Sequence, residues 1–124
     1  MSHSRLGEDR GAALVWALAL VSVILMAGFV ALALGQQAVA RQQVAAAADV
    51  AALGAAQTDG DPCSVAQTLA TANEVQLIAC AIDGVDVVVR VSRPAPPLVV
   101  RLFGMVGTRA PDVVGVARAG PPPR

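Results

Sequence analysis

From Ala12 to Leu34 the chain reads AALVWALALVSVILMAGFVALAL, 23 residues with no charge and a single hydroxyl, Ser22. This run constrains everything that follows it. As an α-helix rising about 1.5 Å per residue it would be roughly 34 Å long, enough to cross a hydrocarbon core of about 30 Å. A helix lying on a soluble domain needs a polar face, and this run offers none. The sequence therefore predicts a transmembrane helix over residues 12–35, ahead of a buried helix of a soluble protein. A secretory signal peptide is the competing reading, although its apolar region is only about 7–15 residues long. Ala38-Val39-Ala40 has the A-x-A form that a signal peptidase accepts, so cleavage just beyond the run would release a secreted remainder.

The flanks suggest an orientation. Residues 1–11 (MSHSRLGEDRG) form a short polar leader, expected to be mobile, and His3 within it is given no chemical role. Arg5 and Arg10 precede the span and only Arg41 follows it closely, which favours a cytoplasmic N-terminus and an extracytoplasmic C-terminal domain. Trp16, about one turn inside the entry, suits a headgroup anchor. Ala27, Ala31 and Gly35 recur every four residues as a smooth stripe of the kind that lets membrane helices approach closely.

The helix is not expected to stop at Gly35. Residues 36–58 are an alanine-rich extension without proline, so one helix is predicted from about Ala12 to about Gln57. Within it Val39, Ala46, Val50 and Leu53 fall on one stripe, with Gln37 and Arg41 on another side. Such a thin stripe needs the following domain, or neighbouring copies of the helix, to cover it.

Residues 59–119 are expected to form a small extracytoplasmic α+β domain. At 124 residues the chain has room for one small core besides the membrane helix. Thr58-Asp59-Gly60-Asp61-Pro62 is a turn cluster; it lacks the spacing of a calcium loop, and Asp61 before Pro62 reads as the N-cap of a short helix, CSVAQTLATANEV. That helix would present Val65, Leu69 and Ala72 on one side. Next, QLIACAI, Asp83-Gly84 and VDVVVRVS read as a β-hairpin on a two-residue type I′ turn. Taken literally, this pairs Ile82 with Val85, Cys80 with Val87 and Ile78 with Val89 on the core face, and leaves Leu77 and Arg90 on the wetter one. Cys80 then faces the helix that starts near Cys63, and a Cys63–Cys80 disulfide leads over two free buried thiols. Leu98 to Val106 would be a short helix, covering the sheet or lying in the membrane surface. VVGVARA, after Pro111-Asp112, supplies a third strand, and residues 120–124 a disordered proline-rich tail. The fold class is thus membrane-anchored α+β: a long N-terminal helix, a short helix and a three-stranded antiparallel sheet in pilin-like outline.

Composition narrows the chemistry. Nine arginines and no lysine balance nine carboxylates, and aromatic residues are only 2%, so neither a basic surface nor a stacking platform for nucleic acid is expected. With one histidine and no GxSxG, HExxH or phosphate-loop pattern, no catalytic, cofactor or metal site is expected and the chain reads as a non-enzyme.

Asp9-Arg10-Gly11 running into the apolar helix, followed by the alanine-rich run RQQVAAAADVAALGA with Asp49 inside it, resembles the TadE/TadG-like proteins of Tad (Flp) pilus-assembly systems. More narrowly it is similar to short actinobacterial TadE-like proteins encoded beside helicase and secretion genes. The resemblance covers residues 9–57. It implies a pilin-like accessory component of a pilus or secretion apparatus, with the membrane and other pilin-like or secretion subunits as partners and with self-association open. One departure matters. Pilin-like members are cleaved after a glycine and carry glutamate at the fifth mature position, whereas counting from Gly11 that position here is Trp16. Pilin processing and glutamate-guided docking are therefore not implied.

Overall fold

A computed structural model describes residues 3–121, in the order α1 (His3–Ala56), α2 (Pro62–Ala72), β1 (Gln76–Asp83), β2 (Asp86–Arg93), α3 (Pro97–Met105) and β3 (Val113–Ala119). The chain divides between Gly35 and Gln36 into two units.

The first unit is helical from His3, so the leader expected to be mobile is helix over its described part. The physical reason is local: Ser4 to Arg10 contains no proline, and a helix nucleated by the apolar run propagates at low cost into neighbouring residues. Met1 and Ser2 lie outside the described residues, as does the end of the expected tail, 122–124. Large apolar side chains at Leu14, Trp16, Val21, Ile24, Leu25, Met26 and Leu34 are exposed. The one hydroxyl of the run does not need water, because Ser22 Oγ donates to the Leu18 carbonyl at 2.8 Å. A helix with its polar groups satisfied internally and apolar side chains exposed is one that could span a membrane.

In the second unit α2 and the part of α1 from Gln36 onward cover one face of an antiparallel sheet of order β1-β2-β3. The core consists of Ala40, Val44, Ala47, Ala48, Ala51, Ala52 and Ala55 of α1, Ala66 and Ala70 of α2, Val75 just after α2, and Val87, Val89, Val91, Val113, Ala117 and Ala119 of the strands. Small residues let the layers approach closely. A β-carbon on Gly115 would come within 2.9 Å of both Val44 Cγ1 and the Val44 carbonyl oxygen, so β3 meets α1 backbone to backbone at that point. Leu69 and Val65 of α2 lie over Gly54.

α2 begins as expected, with Asp61 Oδ1 accepting from the Cys63 amide at 3.1 Å and Pro62 in the first turn. It ends earlier. Glu74 takes a positive φ of 58°, its N–H donates to Thr71 at 3.1 Å and that of Val75 to Ala70 at 3.0 Å, the paired bonds of a Schellman cap. The helix turns Ala66 and Ala70 fully inward, with Val65 and Leu69 half-buried and Ala72 exposed, so the predicted Val65–Leu69–Ala72 side is only the margin of its buried face.

The hairpin forms with a different register. Asp83 closes on Asp86 around Gly84-Val85, Ile82 pairs with Val87 and Cys80 with Val89. Only Gly84 has positive φ (65°), which marks a type II′ turn and not the I′ turn expected from Asp83-Gly84. The slide is by two residues, an even number, so Cys80, Val87 and Val89 keep the face assigned to them. Val85 instead sits exposed in the turn. An irregularity between Leu77 and Ala79 then pairs Leu77 with Val91, packs it against the core and leaves Ile78 exposed, reversing the assignment of those two. The outer sheet face carries Ala79, Ala81, Val88, Arg90, Val114, Val116 and Arg118. On it, Arg118 forms ion pairs with Asp83 and Asp86 across the mouth of the hairpin.

Candidate helix-packing surface

Within the first unit Ala27 and Ala31 lie exposed along a shallow apolar groove whose other side chains are Val23, Met26, Val30 and Leu34. The groove exists because two alanines one turn apart sit between larger neighbours. Gly35 is also exposed, and a β-carbon there would meet nothing within 4 Å. The sequence brings these three positions to one side of the helix by their four-residue spacing, and nothing in their own unit covers them.

In the second unit the domain takes the alanine face of α1. Val44 is fully buried, whereas Val39, Ala46, Val50 and Leu53 point away from the core and are exposed. At about 3.6 residues per turn the two sets stand on opposite sides of the helix. Of the two covers expected for the valine–leucine stripe, the domain is therefore not the one. Ala46 and Val50 form part of an open groove with Gln43, Ala47, Ala72, Asn73, Glu74 and Arg93. Its rim is polar and ordered: Arg93 Nη1 donates to Gln43 Oε1 at 3.3 Å and Nη2 lies 3.8 Å from Glu74 Oε2. Sequence reading missed this rim, since Gln43 and Arg93 are 50 residues apart and no local signal joins them.

Cys63 and Cys80 are joined in a disulfide with a Cα–Cα distance of 5.8 Å, tying the first turn of α2 to β1. Of the family-like motif, Asp9, Arg10 and Gly11 are exposed on the first unit and Asp49 is exposed on the second. The structure does not gather them into a site. Among the described residues no group of three His, Cys, Asp or Glu side chains could hold a metal ion, and Asp61 is engaged as a helix cap.

The groove of the first unit is thus apolar and shallow along two alanines, and that of the second has an apolar floor at Ala46 and Val50 with a polar rim. No curated protein and no solved structure matches the chain. Residues 11–58, from the entry of the apolar run to the end of α1, match the model of the Tad family, described as "Putative Flp pilus-assembly TadE/G-like", and it is over this stretch that the chain is similar to that family.

Proposed function

We propose that this chain is a single-pass, non-enzymatic, pilin-like accessory component of a Tad/Flp-type pilus or secretion apparatus, and that it acts by helix–helix association in the membrane. One observation supports the reading: the family match over residues 11–58 falls on the helix that carries the apolar groove at Ala27 and Ala31 in the first unit and, in the second, the exposed stripe that the folded domain does not cover. Partners of matching chemistry are other pilin-like subunits or further copies of the chain. Its leader and alanine-rich run are similar to those of short actinobacterial TadE-like proteins. Trp16 at the position where pilins carry glutamate supports an accessory role over that of a processed filament subunit. The arginine bias around the span supports a cytoplasmic N-terminus. Retention of the span is supported by Ala40, since cleavage after it would remove a residue of the domain core. The competing reading is a cleaved, secreted, disulfide-stabilised protein that binds an external partner, and intact mass of the native chain separates the two.

The test is in-membrane crosslinking. Lipid is as apolar as leucine, so contact between spans depends on small residues and close packing. Ala31→Leu keeps the span apolar and should insert normally, yet abolish crosslinking to a partner or a second copy. Leu32→Ala, on another face, should leave crosslinking intact. Equal crosslinking in both variants and the parent would refute an interface at Ala31.

A further inference from the structure

α3 does not cover the sheet. Among the described residues its backbone does not come into packing range of β1, β2 or β3. It buries Val99, half-buries Leu98 and Leu102, and leaves Val100, Phe103, Met105 and Val106 exposed. The last two are the more open, at 78% and 74%, and they form an apolar tip where the helix ends and the chain turns at Gly107. Arg101 and Arg109 flank the tip, and residues 97–110 contain no carboxylate.

The position of this excursion in its own unit gives it an occupant. α3 connects Arg93, the last residue of β2, to Val113, the first of β3, and these two residues pair with one another. That end of the sheet meets the early part of the α1 segment, through Arg93 on Gln43 and Gly115 against Val44. The apolar run ends at Leu34, only nine residues before Gln43. The excursion therefore starts and ends at the edge of the domain where, along the polypeptide, the chain arrives from the span.

We propose that the α3 tip is a second membrane contact, in which Phe103, Met105 and Val106 enter the interfacial region of an anionic phospholipid bilayer and Arg101 and Arg109 meet its headgroups. The inference rests on α1 spanning the bilayer. Apolar side chains flanked by arginines, with no acidic residue among them, match a surface that is apolar beneath and negative above. A short contact of this kind would be weak alone, but the span holds it at high effective concentration.

The chain has one tryptophan and no tyrosine, which makes the test direct. The full chain is reconstituted in vesicles of brominated phosphatidylcholine with phosphatidylglycerol, and bromine quenching is read from Trp16 in the parent. In a Trp16→Phe background it is read from Met105→Trp and, at the hairpin turn, from Val85→Trp. Quenching of Trp16 and of Met105→Trp but not of Val85→Trp is the expected result, and adding Arg101→Glu with Arg109→Glu should abolish it at position 105. With Trp16 quenched, Met105→Trp no more quenched than Val85→Trp overturns the lipid contact. So does blue-shifted but unquenched emission at position 105, which would mean that protein covers the tip. Quenching that survives both charge reversals overturns the role of the anionic headgroups. An unquenched Trp16 would defeat the spanning reading itself, and this inference with it.

Discussion

Val44 and Val50 offer a matched comparison, since they are the same residue type on the same helix with opposite surroundings. Val44 is the largest side chain that α1 contributes to the apolar core and has no exposed surface, whereas Val50 is 45% exposed. Replacing Val44 with alanine removes two methyl equivalents from the core, at about 0.8 kcal/mol each. The space left over Gly115 adds about 1 kcal/mol, because neither backbone can close in further. Alanine returns about 0.5 kcal/mol through its better helix propensity. The net loss for Val44→Ala is about 2 kcal/mol. For Val50→Ala the transfer loss is smaller and the propensity gain the same, giving a change within about 0.5 kcal/mol. Hydrogen exchange read by mass spectrometry on the full chain in micelles, followed in the β2 peptide, measures the difference. A loss of about 2 kcal/mol accelerates exchange roughly 30-fold where opening of the domain limits it. Crosslinking should respond in reverse, weakened by Val50→Ala and unchanged in folded Val44→Ala. Equal exchange in the two variants, or faster exchange in Val50→Ala, would refute the assignment of helix faces.

Three further outcomes follow from the same structure. Gly115→Val should destabilise the domain by about 1–3 kcal/mol through overpacking against the Val44 backbone, seen as faster exchange in β2 and β3. Cys63→Ser with Cys80→Ser, which opens a loop with a sequence separation of 17, should cost about 3 kcal/mol, seen as a lower urea midpoint than that of the oxidised parent. In intact cells Thr58→Cys should be labelled by an impermeant maleimide and Ser4→Cys should not, and outside labelling at position 4 would reverse the proposed orientation.

Much of this fold was legible because its signals are local. The apolar run, Asp61-Pro62 as a helix start, the glycine turn at residue 84 and the VVGVARA strand each depend on neighbours in sequence. The misread features depend on distant ones. The hairpin closes on Asp83 and Asp86 where Arg118, a residue of β3, pairs with both carboxylates, and no local rule includes that arginine. Glu74 holds a left-handed conformation that its residue type does not announce. The face of α1 was the hardest to assign. Hydrophobicity ranks Val39, Val50 and Leu53 above alanine, but the domain selects for closeness, and Gly54 and Gly115 mark where α2 and β3 press in. The apolar groove at Ala27 and Ala31 was readable from spacing alone, whereas the rim built by Gln43, Glu74 and Arg93 needed the folded chain.

The open residues of α1 change character where the solvent would change. Up to Gly35, the first residue past the apolar run, the four-residue series is Ala27, Ala31, Gly35; beyond it the exposed stripe is Val39, Ala46, Val50 and Leu53. In lipid, burying a large apolar side chain against a neighbour gains almost nothing over leaving it in hydrocarbon, and close approach between small residues is what favours contact. In water the order reverses, because the gain scales with the apolar area removed from solvent. Val39, Val50 and Leu53 are each about half exposed, at 53%, 45% and 53%, so covering them would contribute about 1 kcal/mol apiece. A domain whose core is mostly alanine and valine would have gained by turning those residues inward. Its structure instead spends alanines on the inside and keeps the larger side chains out. That distribution costs a lone chain solubility and core volume, and it supports a helix whose outer side is completed by another subunit in both media.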